Sequence, residues 1–301
     1  MGFLKRISLF LLVNILVVTV ISFLLYIFNI QPFLAQNGLN IPSLAAFCLI
    51  WGMGGAFISL LLSKVMAKWM MGVKIIDLNT HDSEMRWLVS TVHALSEKAG
   101  LPKMPEVGVY QSSDINAFAT GPSRSNSLVA VSSGLLNRMS RDEAAGVIGH
   151  EITHIANGDM VTMTLLQGVI NAFVMFLARI IAFAISRGLR SKDENSSSSP
   201  FMYHMVVVML EIVFMILGSL VVARFSRYRE FRADAGGAKL AGKEKMIQAL
   251  VALKNATQPQ EVRKEAQSFQ AFQISNRQSN FFKLFATHPP LDERIAKLQS
   301  R

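Results

Sequence analysis

Two histidines and a glutamate in the middle of the chain have the spacing of a metal-binding motif. His150 and His154 are four residues apart, and Glu151 follows the first of them in the pattern His-Glu-x-x-His. On a helix, residues four apart project from one face, so both imidazoles could bind one metal ion. Glu151 would point into the same cleft without competing for the metal. The alternative is a helix with two hydrogen-bonded histidines and no metal.

The residues around the motif predict a helix with defined ends. Ser140 and Glu143 have the spacing of a capping box, and Asn157-Gly158 is a stop signal, so the helix should run from Arg141 to Ala156. Charged residues at both ends of this segment indicate that it lies in water rather than in hydrocarbon. Small residues on the helix would allow another element to approach closely; they are Gly146 and Gly149.

A catalytic zinc site needs a third protein ligand and an open position for water. Glu230 and Asp234 are one helical turn apart in Glu-Phe-Arg-Ala-Asp. Glu230 could bind the metal while Asp234 hydrogen-bonds the outer nitrogen of a ligating histidine. Alternatively, both acids pair with nearby arginines on an exposed face, and the spacing alone leaves both readings open. Asp159 follows the motif helix too closely to be expected to fold back onto the metal.

Four long apolar stretches predict a membrane protein. Of all residues, 51% are hydrophobic and 17% are charged, against roughly 25% charged in an average soluble domain. A helix needs about 20 apolar residues to cross a bilayer. Each stretch is long enough, and the first is too long for a signal-peptide core. The stretches are Ile7 to Ile30, Leu39 to Leu62, Met160 to Ile185 and Phe201 to Ala223.

Two charges, Arg179 and Glu211, interrupt the third and fourth stretches. If these stretches form a hairpin, the depths of the two residues differ by only about 5 Å at 1.5 Å per residue. A charge in the bilayer normally has a partner or water. We therefore predict an interhelical ion pair that fixes the hairpin. The alternative is that Arg179 extends to the interface while Glu211 is neutral or faces a watery crevice.

The basic residues predict the orientation in the membrane. The formal net charge is +10, and lysines or arginines adjoin the predicted cytoplasmic ends of the first, second and fourth stretches, as in the positive-inside rule. Both termini and both polar regions should thus be cytoplasmic. No basic groove with interleaved aromatic residues is evident, so nucleic-acid binding is not expected. The single cysteine, Cys48, excludes an intrachain disulfide and a cysteine-based zinc site.

The predicted domain order alternates membrane and polar segments. Residues 1–63 and 160–223 should form two transmembrane hairpins, while residues 64–159 and 224–301 should form the two parts of one catalytic domain. Within that domain we predict a helix over residues 84–99 and strands over 106–111 and 127–132, with a turn at Gly121-Pro122 between the strands. The polar segments therefore predict a mixed helix and sheet domain.

Taken together, these motifs resemble the HtpX family of bacterial heat-shock membrane proteases, relatives of the CAAX prenyl endoproteases. The resemblance rests on His-Glu-Ile-Thr-His followed, about 75 residues and one apolar hairpin later, by Glu-x-x-x-Asp. Two further segments match, Asn116-Ala-Phe-Ala119 and His288-Pro-Pro-Leu-Asp-Glu-Arg294. The match covers essentially the whole chain, including four hydrophobic stretches in the expected order.

The resemblance implies an α-helical membrane protein with four transmembrane helices and a zincin-type α+β catalytic domain. It would be a multi-pass protein of the bacterial inner membrane with its active site facing the cytoplasm. One Zn²⁺ ion per chain would be bound by His150, His154 and Glu230, and Asp234 would orient a ligating histidine.

The implied reaction is metal-assisted peptide hydrolysis. Zinc would lower the pKa of its bound water towards about 7 and polarise the scissile carbonyl. Glu151 would take the proton of the water as general base and deliver it to the leaving amine. His288 is the first candidate for the donor that stabilises the oxyanion, and Arg294 the second. Asn116 would bind the substrate backbone; each of these three could instead have a purely structural role.

The implied substrates are misfolded or damaged membrane proteins that are removed during stress. The partners would be polypeptide substrates, the lipid bilayer and other membrane quality-control proteases. A prenyl-protein endoprotease is the alternative enzyme, but at most four spans give no evident intramembrane chamber. The non-enzymatic alternative is a membrane scaffold with an incidental metal site.

Overall fold

The computed structural model describes residues 40–190, 200–257 and 286–300. The predicted first span lies outside these residues. Contacts divide the chain into two compact units. The apolar unit falls within residues 1–59 and 162–222, and the polar unit within residues 60–161 and 223–301.

The helices are α1 (Ile41–Met70), α2 (Ser83–Lys98), α3 (Ser133–Arg138), α4 (Arg141–Asn157), α5 (Asp159–Arg190), α6 (Pro200–Ala241), α7 (Lys243–Thr257) and α8 (Leu291–Gln299). The strands are β1 (Lys74–Ile75), β2 (Glu106–Tyr110), β3 (Ala117–Ser123) and β4 (Asn126–Ser132).

Three helices of the described chain are long and apolar enough to cross a membrane. They lie over Ile41–Met70, Asp159–Arg187 and Phe201–Ala241 and correspond to the second, third and fourth predicted stretches. In the apolar unit, α1 and α5 approach closely because Gly52 has no side chain. A Cβ at Gly52 would lie 2.5 Å from the backbone nitrogen of Ala172. Such small residues are typical of membrane helix contacts.

The two charges that interrupt the third and fourth apolar stretches pair with each other. Arg179 Nη1 on α5 donates to Glu211 Oε1 on α6 over 2.7 Å, and the same nitrogen donates to the carbonyl of Met175. Neither side chain is fully buried, with 22% of Arg179 and 31% of Glu211 exposed. The predicted interhelical pair is confirmed, and it balances one positive charge with one negative charge.

The polar unit contains a four-stranded sheet in the order β1-β2-β4-β3. Strands β2 and β4 are parallel, and β1 and β3 pair antiparallel with their neighbours. The predictions of β2 and β4 are confirmed, but the predicted turn at Gly121-Pro122 is wrong. These residues lie in β3, where Gly121 has φ 141° beside an irregularity in the pairing. Proline is tolerated there because β3 is an edge strand.

The motif helix α4 lies at the centre of the polar unit. Ile148, Ile152 and Ile155 on α4 are fully buried in a core with residues of α2, β2, β4 and α7. Helix α6 crosses α4 so closely that a Cβ at Gly236 would overlap the side chain of Thr153. At Gly237 it would lie 3.0 Å from the backbone nitrogen of His150. The lack of side chains at these glycines therefore allows α6 to deliver its carboxylates to the motif histidines.

Candidate metal centre

The local sequence defines both ends of α4. Ser140 and Glu143 form the predicted capping box, with the Ser140 amide donating to Glu143 Oε2 over 2.7 Å. The helix ends at Asn157, and Gly158 adopts the left-handed conformation with φ 64°. The caps thereby fix the register of the helix.

Both motif histidines project from α4 toward Glu230 of α6. The two Nε2 atoms are 3.1 Å apart. Glu230 Oε2 lies 3.5 Å from Nε2 of His150, and Oε1 lies 3.3 Å from Nε2 of His154. One ligand atom from each residue falls within 4.8 Å of the others, and all three side chains are buried. Two imidazole nitrogens and one carboxylate oxygen converge, which is the donor set of many catalytic zinc sites.

Each histidine contacts a second carboxylate through its outer nitrogen. His150 Nδ1 lies 2.9 Å from Asp234 Oδ1, and His154 Nδ1 lies 2.7 Å from Asp159 Oδ2. A proton on Nδ1 satisfies such a contact and leaves the lone pair of Nε2 directed at the centre. Both aspartates are buried, with exposures of 4% for Asp159 and 2% for Asp234.

Asp159 is the residue of the candidate centre that the sequence analysis did not predict. In the sequence analysis, Asp159 is considered only as a metal ligand and is judged too close in sequence to His154 to fold back onto the metal. In the structure Asp159 instead contacts Nδ1, the outer ring nitrogen of His154. Gly158 reverses the backbone in a left-handed turn, so the first residue of α5 reaches His154. An acid directly after a glycine cap was the available signal.

Arg294 of α8 holds Asp234 in place. Its Nε donates to Asp234 Oδ2 over 2.8 Å and its Nη2 to Oδ1 over 2.6 Å, a bidentate pair. The guanidinium is buried, and its Nη1 lies 3.8 Å from Glu230 Oε2. Two of the three guanidinium nitrogens of Arg294 thus bind Asp234, the aspartate that contacts His150.

His288 precedes α8 and reaches the centre from an exposed position. Its Nδ1 lies 2.8 Å from Glu230 Oε2 while 66% of its side chain is accessible to solvent. Glu151 is half-buried and adjoins His150 on α4. Asn116 is exposed just before β3, and its backbone amide and carbonyl both bond to Ser132.

The buried charges of the centre do not balance. Among the described side chains that are more than nine-tenths buried, three carboxylates (Asp159, Glu230 and Asp234) meet one guanidinium, that of Arg294. With neutral imidazoles, two negative charges are left uncompensated. Arg229 is the next guanidinium, 3.6 Å from Glu230 Oε1 and less buried. The excess matches the charge of a divalent cation.

The excess of negative charge also raises the pKa values of the two histidines. Burial lowers the pKa of His154, but hydrogen bonds to Asp159 and Glu230 outweigh burial and raise it to about 9. Burial also lowers the pKa of His150, and contacts with Asp234 and Glu230 raise it above its ordinary value. The centre therefore attracts cations, and the residues fit a divalent metal ion.

Comparison with known proteins shows the family. Residues 82–301 match peptidase family M48. The chain is 50% identical to a "Protease HtpX homolog" of Paracidovorax citrulli over 98% of this chain and 99% of that protein. It is also 50% identical to "Protease HtpX" of Pectobacterium atrosepticum, covering 98% of each, and 49% identical to a homologue from Bacillus licheniformis, covering 99% of each.

A solved structure supports the fold. The crystal structure of S. mikatae Ste24p matches with a TM-score of 0.56 over 91% of this chain at 20% sequence identity. The chain spans 64% of that protein. The long apolar helices and the buried donor set define a membrane-associated metalloprotease. The chain belongs to the HtpX proteases of peptidase family M48, which confirms the resemblance of the motifs.

Proposed function

We propose that this metalloprotease is a zinc-dependent endopeptidase of the bacterial inner membrane that cleaves misfolded or damaged membrane proteins during stress. The observation that carries the proposal is the convergence of His150, His154 and Glu230 from two helices into one buried donor set. Each imidazole is also held by its own aspartate. A structural hydrogen-bond cluster would not need two uncompensated buried charges.

These three side chains would hold one zinc ion. When bound, zinc would supply a Lewis acid that lowers the pKa of a coordinated water and polarises a carbonyl. Asp234 and Asp159 would orient His150 and His154 by accepting hydrogen bonds from their Nδ1 atoms. Arg294 would keep Asp234 in position through its two short hydrogen bonds.

Glu151 would act as the general base and then as the acid that protonates the leaving amine. Two observations support this role: the charge of Glu151 acts on both His150 and His154, and Glu151 has no place in the donor set. His288 would stabilise the oxyanion from the exposed side of the centre. Its large exposed fraction and its contact with Glu230 support that assignment.

The substrate backbone would bind along the outer edge of β3, which pairs with no further strand of the described residues. An edge strand offers unpaired amide and carbonyl groups that an extended peptide can pair with. Asn116 would hold the peptide at the start of this edge with its exposed side chain. Such binding reads main chain rather than side chains, which suits a protease for many damaged substrates.

A cleavage assay with purified protein tests this function. Zinc-loaded protein should cleave casein, a chelator should abolish cleavage, and added zinc should restore it. A prenylated C-terminal peptide should be cleaved no better than its unprenylated form. Cleavage that survives complete metal removal would refute the metal role, and a clear preference for the prenylated peptide would favour the prenyl-protein alternative.

Cysteine labelling tests the cytoplasmic orientation that the basic residues support. In a Cys48→Ser background, a cysteine from Ser197→Cys should react with a membrane-impermeant thiol reagent in intact cells. A cysteine from Ser125→Cys, an exposed position between β3 and β4, should react only after lysis. The reverse pattern would overturn the orientation.

A further inference from the structure

The last eleven residues of helix α1, residues 60–70, belong to the polar unit. One face of this segment packs inward: Leu60 is 7% exposed, and Ala67 packs against a cluster that contains Tyr110. The opposite face is open. Leu61, Val65 and Trp69 follow one another at four-residue spacing and are 65%, 61% and 81% exposed.

The two lysines of this segment face the sheet. Lys64 Nζ lies 2.8 Å from Glu106 Oε1 and 2.7 Å from Asn126 Oδ1, and Lys68 Nζ lies 2.7 Å from Glu106 Oε2. Side-chain exposure is 13% for Lys64 and 39% for Lys68. One carboxylate thus draws both cations to the inner face. The sequence alone ended the second apolar stretch at Leu62. In the structure the outer face of α1 stays apolar for two further turns, to Met70.

Exposed apolar side chains continue after the helix. Met71 is 45% exposed, Ile75 in β1 is 42% exposed and Leu78 in the following loop is 69% exposed. Of the twelve large apolar side chains exposed in the described polar unit, nine lie between Leu61 and Leu78. A cluster of this kind marks an interaction surface, whereas scattered apolar residues would need no explanation. We call residues 61–78 the apolar margin.

We propose that the apolar margin docks the polar unit into the headgroup and acyl-chain boundary of the adjacent lipid leaflet. The margin is continuous with the membrane-crossing part of α1 on the same helix. Trp69 lies in the last turn of α1. Tryptophan is enriched at membrane–water interfaces, where its amphipathic ring sits at the level of the headgroups. The inward lysines leave no charge on the outer stripe between Leu61 and Met71 to oppose insertion.

Docking would hold the sheet at the membrane surface. Glu106, which binds both lysines, is the first residue of β2, and β2 pairs directly with β1 and β4. The polar unit would then meet polypeptide segments where they emerge from the bilayer. In this proposal the apolar margin contacts lipid, and neither water nor a second copy of the chain covers it.

The three tryptophans of the chain allow a test with internal controls. Trp51 lies in the apolar unit on α1, Trp69 in the apolar margin, and Trp87 on α2 with the Arg141 guanidinium 5.5 Å from its ring centre. Each single-tryptophan variant replaces the other two with phenylalanine. The proteins are placed in nanodiscs whose lipids carry bromine near the headgroup or near the middle of the acyl chain.

Trp69 should lose more fluorescence with shallow than with deep bromine and should resist aqueous iodide. Trp51 should be quenched by bromine in the acyl chain, which verifies the reconstitution, and Trp87 should be insensitive to either lipid. Quenching of Trp69 by iodide but not by bromolipid would show that the margin is in water. Protection of Trp69 from both quenchers would show that protein covers it. Either result overturns the proposal.

Spin labels extend the test beyond the helix. In a Cys48→Ser background, labels are attached at Leu78→Cys and, as a matched control, at Met104→Cys. Met104 is an exposed apolar residue of the polar unit outside the margin. The label at position 78 should be more accessible to oxygen than to a water-soluble nickel complex, and the label at position 104 should show the opposite. Equal accessibility at the two positions would restrict docking to α1 and refute the margin as defined.

Discussion

The two units of the molecule treat internal charge in opposite ways. In the apolar unit, Arg179 and Glu211 form one balanced pair, and both remain partly exposed. Among the described residues of the polar unit, three buried carboxylates surround two histidines with one buried guanidinium among them. The balanced pair is complete as it stands, while the unbalanced cluster needs a cation.

This difference separates a structural ion pair from a metal site. Each group of a balanced pair neutralises the other, so the pair can be replaced by apolar residues at small cost. A cluster with excess negative charge is strongly unfavourable unless protons or a metal ion bind to it. The pKa of His154 is raised because the neighbouring carboxylates favour a proton on its ring. Four predictions test the comparison, from the largest expected effect to the smallest.

Glu151→Gln should separate chemistry from charge balance. Glu151 lies outside the converging donor set, so the variant should bind zinc as the parent does. Loss of the general base should lower the cleavage rate by about 10²–10⁴-fold. Metal content and peptide cleavage are measured on the same preparation. A variant that loses its zinc, or that keeps its full rate, would contradict the role of Glu151.

Glu230→Ala should remove the metal as well as the activity. The change deletes one of the three proposed ligands and one of the two excess negative charges. The loss of zinc affinity should exceed the roughly 10–100-fold loss typical of outer partners, measured by competition with a chelating dye. Glu244→Ala, an exposed glutamate on α7, is the matched control and should bind zinc normally. Parental affinity in Glu230→Ala would place the third ligand elsewhere.

Asp159→Asn should weaken zinc binding by about 10–100-fold through His154, without removing a ligand. The amide keeps the shape of the side chain but lacks the charge that favours a proton on Nδ1. Asp142→Asn changes an exposed aspartate on α4, the helix that carries His154, and is the control for a change of charge alone. If the two variants bind zinc equally well, Asp159 does not orient His154. Asp234→Asn should behave as Asp159→Asn does.

Arg179→Leu and Glu211→Leu should each destabilise the protein, and the double variant should lose less stability than the sum of the two single losses. Each single change leaves one uncompensated charge in the apolar unit, and the double change restores the balance. We expect a coupling of about 0.5–3 kcal/mol, measured as thermal unfolding of all four proteins in nanodiscs. Gln167→Leu combined with Glu211→Leu is the control and should be additive. Additive effects for the Arg179 and Glu211 changes would show that the observed contact carries no coupling.

The sequence predicted best what depends on neighbouring residues. The capping box at Ser140, the glycine stop at Gly158 and the two central strands β2 and β4 were all confirmed. Helical periodicity brought His150 and His154 to one face, and the length of the apolar stretches indicated three described membrane helices. These features follow from local rules of hydrogen bonding, periodicity and burial, so a single segment contains the information.

Contacts between distant segments were decided by packing. Helix α6 comes close to α4 at glycines 236 and 237, where an added Cβ would meet Thr153 and His150 at 3.0 Å or less, and this close approach places Glu230 beside the histidines. The contact of Asp159 with His154 and the burial of Arg294 against Asp234 also depend on how the backbone folds around the centre.

The two lysines of α1 show the same division most clearly. By sequence, Lys64 and Lys68 end an apolar stretch, and local rules assign them to water. The structure turns both toward Glu106, a residue some forty positions away, and leaves the outer face of the helix apolar. The sequence determined which residues carry charge and which helices form. Helix geometry predicted the pair of Arg179 and Glu211 in advance, because the two residues lie at similar depths in adjacent apolar stretches. Only the tertiary structure decided that both lysines meet Glu106, because that ion pair depends on how helix α1 packs against the sheet.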